Sequence, residues 1–138
     1  MTYRVLCAYD ESPSAERAFD YSVILAKRFE GELHVLTVVV PTESQVKGDP
    51  AVLLEAGKAR LAPSFARLQE KCDTVGIPAV LVVRLGYPAQ EVLHYADELS
   101  IRHIVTGRRG ISAMQRASLG SVSQRIVQHA TALATVVP

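Results

Sequence analysis

Short apolar runs alternate with amphipathic stretches along the whole chain. The first run, Tyr3 to Tyr9 (YRVLCAY), closes at Asp10 and reads as a buried strand. Ser12-Pro13-Ser14 then supplies a helix start, with Pro13 suited to the first turn. Ala15, Ala18, Phe19, Ser22, Val23 and Ala26 recur at helical spacing, and Gly31 ends that helix. Leu33 to Val40 (LHVLTVVV) is apolar almost without interruption, as expected of a strand covered on both faces, which places it inside a sheet and not at its edge.

From Pro41 to Asp49 the pattern is polar and without period, which predicts a flexible loop able to act as a lid. Pro50 to about Val75 is helical overall, with Leu54, Leu61, Phe65 and Leu68 facing inward, but Gly57 and Pro63 interrupt it and predict a kink near Pro63. Ala79 to Leu85 (AVLVVRL) is a third strand. After Gly86-Tyr87-Pro88 a helix runs from Ala89 to Ser100 on the stripe Val92, Leu93, Ala96 and Leu99. His103 to Thr106 is short, β-branched and cut off by Gly107, and Leu133 to Val137 is a fifth strand at the end of the sequence. Strands alternating with helices predict an α/β architecture, an open parallel sheet with helices on both faces. A length of 138 residues with no visible repeat or boundary predicts a single domain over 1–138.

The stretch after the fourth strand carries the candidate chemistry. Gly107 and Gly110 are separated by two residues, and nine more residues lead to Gly120-Ser121. Val122, Ile126 and Ala130 follow at helical spacing, so Gly120-Ser121 sits at a helix start, where unpaired N–H groups and the positive dipole end attract an anion. Glycines there would let a phosphate approach the backbone. They serve equally as loop punctuation, and Ser118 or Ser121 as a simple N-cap. No G-x-x-x-x-G-K-[ST] is present, and the first strand is followed by DESPS instead of G-x-G-x-x-G, so neither a Walker loop nor a standard dinucleotide fold is indicated.

With its spacing Gly107-x2-Gly110-x9-Gly120-Ser121, the chain resembles the nucleotide-binding members of the universal stress protein family, whose landmarks fall in order along nearly all of it. The resemblance implies a Rossmann-like sheet of order 3-2-1-4-5, which would bring Asp10 into one crevice with Gly107 and Gly110. It implies ATP, or ADP or AMP, as ligand. Carried over by motif position, Ala8 and Asp10 would meet adenine or ribose, and Val38 would line the adenine pocket. Gly107, Arg108, Gly110, Gly120, Ser121 and Val122 would surround the phosphates. A divalent ion such as Mg2+ bridging the phosphates is compatible with this set, but no residue pattern demands it. Asp10 suits ribose hydroxyls on chemical grounds, its ordinary role being to cap the following helix. Of the neighbours Arg108 and Arg109, at most one is expected to touch phosphate, with Arg116 a weaker candidate.

Two departures stand out. Ala8 occupies a position where the family commonly has proline, and Ala132-Leu133-Ala134 replaces its usual C-P-V. The last strand commonly pairs two subunits in that family, and an apolar edge strand tends to find a partner, so a homodimer through Leu133 to Val137 is expected.

Composition narrows the rest. Fifteen basic against fourteen acidic residues leave a net charge of +1, with no broad footprint for nucleic acid or membrane. No stretch has the length and character of a signal peptide or membrane span, which predicts a cytoplasmic protein. Cys7 and Cys72 show no metal or redox spacing, and His34, His94, His103 and His129 are scattered, so neither a zinc site nor a disulfide is expected. The preferred function is a nucleotide-binding stress-response regulator, a switch or sensor with little turnover and an unidentified protein partner. A slow ATPase or autophosphorylating protein, with Ser112, Ser118 and Ser121 as acceptors, is the alternative, and a dimeric interaction module without nucleotide a third reading. No catalytic residue is assigned.

Overall fold

The computed structural model describes residues 1–108 and 119–138. The strands β1 (Arg4–Ala8), β2 (Glu32–Val39), β3 (Ala79–Leu85), β4 (His103–Gly107) and β5 (Leu133–Val137) alternate with helices α1 (Pro13–Arg28), α2 (Pro50–Val75), α3 (Pro88–Glu98) and α4 (Ser121–His129). The sheet has the order β3-β2-β1-β4-β5, and all its pairings are parallel. The expected order is therefore present, and β2 lies inside the sheet.

Alternation along β1 builds the two cores. Val5, Cys7 and Tyr9 face α1 and α2 and pack with Ala18, Phe19, Leu68 and Cys72. Leu6 faces the opposite layer, where Val92, Tyr95 and Ala96 of α3 and Ile126 of α4 close over Leu36 and Ile104. Burial pushes the Cys7 thiol up to about 12 and the Cys72 thiol up to about 11, so both stay protonated packing groups at neutral pH.

The predicted helix contacts hold with adjustments. Leu61 and Leu68 are buried in α2 and Phe65 packs against the core, while Leu54 is half-buried. Helix α2 runs on through Gly57 and Pro63 from Pro50 to Val75. A Cβ on Gly57 would stand 2.8 Å from Val39 Cγ2, so this glycine lets α2 approach β2 and does not end the helix. Pro63 and Ala59, four residues before it, are exposed, which leaves the carbonyl freed by the missing N–H to water. On α3 the inward set is Ala89, Val92, Tyr95 and Ala96, with Leu99 packed at its end and Leu93 half-buried.

The sheet order reverses between β1 and β4, which are direct neighbours in register Ala8 to Thr106. That places the ends of β1, β2 and β4 and the starts of α1, α3 and α4 around one crevice.

Candidate functional site

A cavity of about 330 Å³ opens at that crevice. It is lined by Ala8, Asp10 and Val38 from the strand ends, Gly107 and Arg108 from the end of β4, and Gly120, Ser121 and Val122 from the start of α4. Eight of the nine residues singled out by sequence thus line one cavity. Gly110 lies outside the described residues, as do Arg109, Ser112, Arg116 and Ser118.

The floor of the crevice is held by backbone. Tyr9 N donates to Leu36 O at 2.9 Å, and Thr37 Oγ donates to Tyr9 O at 2.7 Å. Tyr9 sends its ring to the far side of the sheet, where its hydroxyl donates to Glu16 and Arg67 donates to that hydroxyl at 3.1 Å. Burial, reinforced by Glu16, holds the phenol protonated well above its usual range, so Tyr9 contributes backbone and not a titrating group.

Asp10 is exposed at the mouth, and its Oδ1 accepts from Ser12 N at 3.0 Å. Ser12 is the N-cap of α1, and its Oγ accepts from Ala15 N at 3.1 Å. The helix cap is therefore Ser12 and not Asp10, which closes the turn before it with one of its oxygens. Between them Glu11 adopts a left-handed backbone, φ 69°, which a side chain tolerates poorly. Its carboxylate is tied to α2 by Arg60 Nη1 at 3.0 Å and Ser64 Oγ at 2.6 Å.

The opposite wall is built around Arg108. Its N–H donates to Val137 O at 2.6 Å, and its carbonyl accepts from Gly120 N at 2.8 Å and Ser123 Oγ at 3.0 Å. These bonds fix the start of α4 beside the end of β4. The guanidinium Nε is buried with no hydrogen-bond partner among the described residues. A buried, unpaired donor of a permanently charged group is costly and rare.

Gly107 has a steric reason beside the one its motif suggests. A Cβ there would meet Ser14 Oγ at 2.5 Å, Ser14 C at 2.8 Å and Ala15 N at 2.9 Å. The glycine lets β4 sit against the first turn of α1, besides lining the cavity. Gly120 has φ −67° and ψ 160°, a conformation open to any residue, and as N-cap it offers no side-chain bond. The first bond closing α4 runs from Gln124 N to Gly120 O, so the amides of Ser121, Val122 and Ser123 precede the helical ladder.

Over residues 1–138 the sequence matches the profile of the universal stress protein family. The chain belongs to this family. It is 32% identical over 141 residues to universal stress protein YxiE of Bacillus subtilis (strain 168), covering 95% of each. Among solved structures, universal stress protein UspA from Lactobacillus plantarum aligns at TM-score 0.85 with 26% identity, over 99% of this chain and 97% of that one. Three more distant likenesses share the fold. One is a universal stress protein in complex with cAMP, at TM-score 0.76 and 20% identity over 99% of this chain and 97% of that one. A second, from Archaeoglobus fulgidus with dAMP, aligns at 0.70 and 18% over 100% and 98%. The third, from Arabidopsis thaliana with AMP bound, aligns at 0.70 and 18% over 98% and 90%.

In this universal stress protein the cavity has further walls that the motif did not announce. Leu36, Thr106, Pro88, Val92, Ala15 and Ser123 also line it. Leu36 and Thr106 lie on the strands carrying the chosen residues, and a two-residue alternation from Val38 would have found Leu36. Pro88 and Val92 begin α3, and only the sheet order brings that helix start to the crevice. Among the described residues no group of three or more His, Cys, Asp or Glu is placed to hold a metal, and no helix is long and apolar enough to cross a membrane.

Proposed function

We propose that this chain is a regulatory protein that binds an adenine nucleotide, ATP in the first place, and acts as a nucleotide-dependent switch or sensor. The observation that carries the reading is one cavity lined both by Arg108, whose buried Nε has no partner among the described residues, and by the start of α4, which has no side-chain cap. A helix start without a side-chain cap offers amides and the positive dipole end to an anion, and an unpaired guanidinium N–H beside it can donate to the same group. The apolar remainder, Ala8, Leu36, Val38 and Val92, suits a base, and the exposed Asp10 has a second oxygen for a ribose hydroxyl. The nucleotides named for three proteins of the same fold support the choice of adenine.

Turnover is expected to be slight. Asp10 is the one carboxylate among the described residues lining the cavity, and one of its oxygens already serves Ser12 N. For a divalent ion such as Mg2+, Asp10 would be the one carboxylate ligand available among the described residues lining the cavity. A homodimer through β5 accompanies this reading, because β5 is an edge strand and Leu133 on it is 61% exposed.

Calorimetric titration of nucleotide-free protein with ATP, ADP and AMP, with and without Mg2+, tests the reading. ATP should saturate a single site per chain. Arg108→Ala should weaken it roughly 10–100-fold, since a hydrogen bond to a charged group contributes about 1.5–3 kcal/mol. Wild-type protein that takes up none of the three nucleotides would overturn the proposal.

A further inference from the structure

A second cavity, about 560 Å³, adjoins the first. The two share Pro88, Ser121 and Val122 as a common wall. From there the second runs as a groove between α3 and α4, past Ala89 and Leu93 on one side and Arg125 and His129 on the other. Arg125 and His129 are four residues apart and so lie on the same face of α4. From Ser121 to His129 the helix extends about 12 Å at its rise of 1.5 Å per residue.

The chemistry of the groove is distinctive. Among the described residues no carboxylate lines it. Arg125 forms no ion pair or hydrogen bond among the described residues, although most of the other described arginines are engaged with a carboxylate or a carbonyl. Tyr87 stands at the rim with 71% of its surface exposed, and its ring has no stacking partner among the described residues. Gln90 beside it offers both a donor and an acceptor. An unshared cation, an open aromatic face and an amide form a set that fits a phosphate followed by a base.

We propose that this groove is a second nucleoside subsite continuous with the first, and that the ligand is a dinucleoside polyphosphate, an adenine nucleotide whose terminal phosphate carries a second nucleoside. The inference rests on the nucleotide reading of the first cavity. The phosphate chain crosses the shared wall at Ser121, passes Arg125, and lets the second base stack on Tyr87 with its edge towards Gln90. A wide groove with an exposed ring at its rim suits a flat base better than a thin flexible tail such as that of coenzyme A.

Titration of the full chain with ATP, diadenosine tetraphosphate and coenzyme A separates the cases. The dinucleotide should bind at least tenfold more tightly than ATP. In the double variant Tyr87→Ala/Arg125→Ala that surplus should vanish while ATP affinity stays within twofold, which also shows that the variant is folded. A dinucleotide no tighter than ATP in the wild type, a surplus that survives the double variant, or coenzyme A binding more tightly than the dinucleotide would each overturn the inference and leave the mononucleotide reading standing. Failure of every ligand to bind would overturn both.

Discussion

Helices α1 and α4 both begin at the crevice, yet they treat their free amides in opposite ways. At α1 the start is satisfied by the protein itself. Ser12 caps Ala15 N, Asp10 takes Ser12 N, and Glu16 places a carboxylate in the first turn. At α4 the N-cap is a glycine, no acid lies in the first turn, and the charged group lining the cavity beside it is Arg108. The other helices fall between: α2 is capped by Asp49, and α3 lacks a side-chain cap but has Glu91 in its first turn. Among the four, α4 alone has neither device. Stability explains α1. It does not explain α4, where, among the described residues, nothing caps the start and the guanidinium nitrogen buried beside it has no partner, a cost to the fold that an anionic ligand would offset.

The largest disturbance of this contrast should come from the residue joining the two corners. Gly107 lies against the backbone of Ser14 and Ala15, atoms that cannot rotate away. Gly107→Ala should therefore destabilise the protein by about 2 kcal/mol, within the roughly 1–3 kcal/mol typical of overpacking, read as a lower urea midpoint at unchanged slope. An unchanged midpoint would show that β4 can move off α1 freely and that the corners are independent.

How far these corners were legible in the sequence follows from the same residues. Apolar runs mark the strands, because a buried parallel strand cannot hide its composition, and the bounds Ala79–Leu85 and Leu133–Val137 hold to the residue. The strand order came from resemblance alone, since no local pattern records which strands are neighbours. Interruptions carry a related ambiguity. Gly57 in α2 looks like a breaker until Val39 is seen 2.8 Å from where its Cβ would be, and that contact spans distant parts of the chain. Gly107 likewise announced a ligand by its spacing, while its tightest requirement is set by α1. At the site, motif residues were found because they sit next to one another in sequence or at strand ends, whereas Pro88 and Val92 needed the fold to bring them in. The unpaired Nε of Arg108 had no signature at all beyond its position between the loop glycines.

A smaller effect, and a sharper test, is to make α4 resemble α1. The backbone at Gly120 suits any residue by its dihedrals, so Gly120→Asp would install both a cap and a negative charge. Stability should rise by a few tenths to about 1 kcal/mol, the value of a cap and a favourable dipole contact. ATP affinity should fall at least tenfold, because the new carboxylate occupies the amides and repels phosphate. Thermal melts and titrations on the same preparation would read both. If stability and affinity rose together, the first amides of α4 would have no part in binding.

The smallest expected effect lies at Glu11, on the self-satisfied side. Its left-handed backbone, φ 69°, costs a side-chain-bearing residue about 1–2 kcal/mol, which Glu11→Gly would relieve. Against that, glycine adds about 0.5–1 kcal/mol of chain entropy to the unfolded state. The variant also loses the Arg60 pair, whose guanidinium side chain is 60% exposed, and such pairs contribute about 0–1 kcal/mol. These opposing quantities nearly cancel, so the net change in stability should stay within about 0.5 kcal/mol of zero. The hydrogen bond from Ser64 tips the balance towards a slight loss if either carboxylate contact matters. Urea denaturation of Glu11→Gly and Arg60→Ala decides between strain and tether. A gain in Glu11→Gly with no change in Arg60→Ala would mean that the turn is merely strained. A loss above about 1.5 kcal/mol, shared by Arg60→Ala, would mean that α2 holds the α1 corner in place, and that the satisfied start of α1 depends on a helix that contributes nothing to the wall of the first cavity.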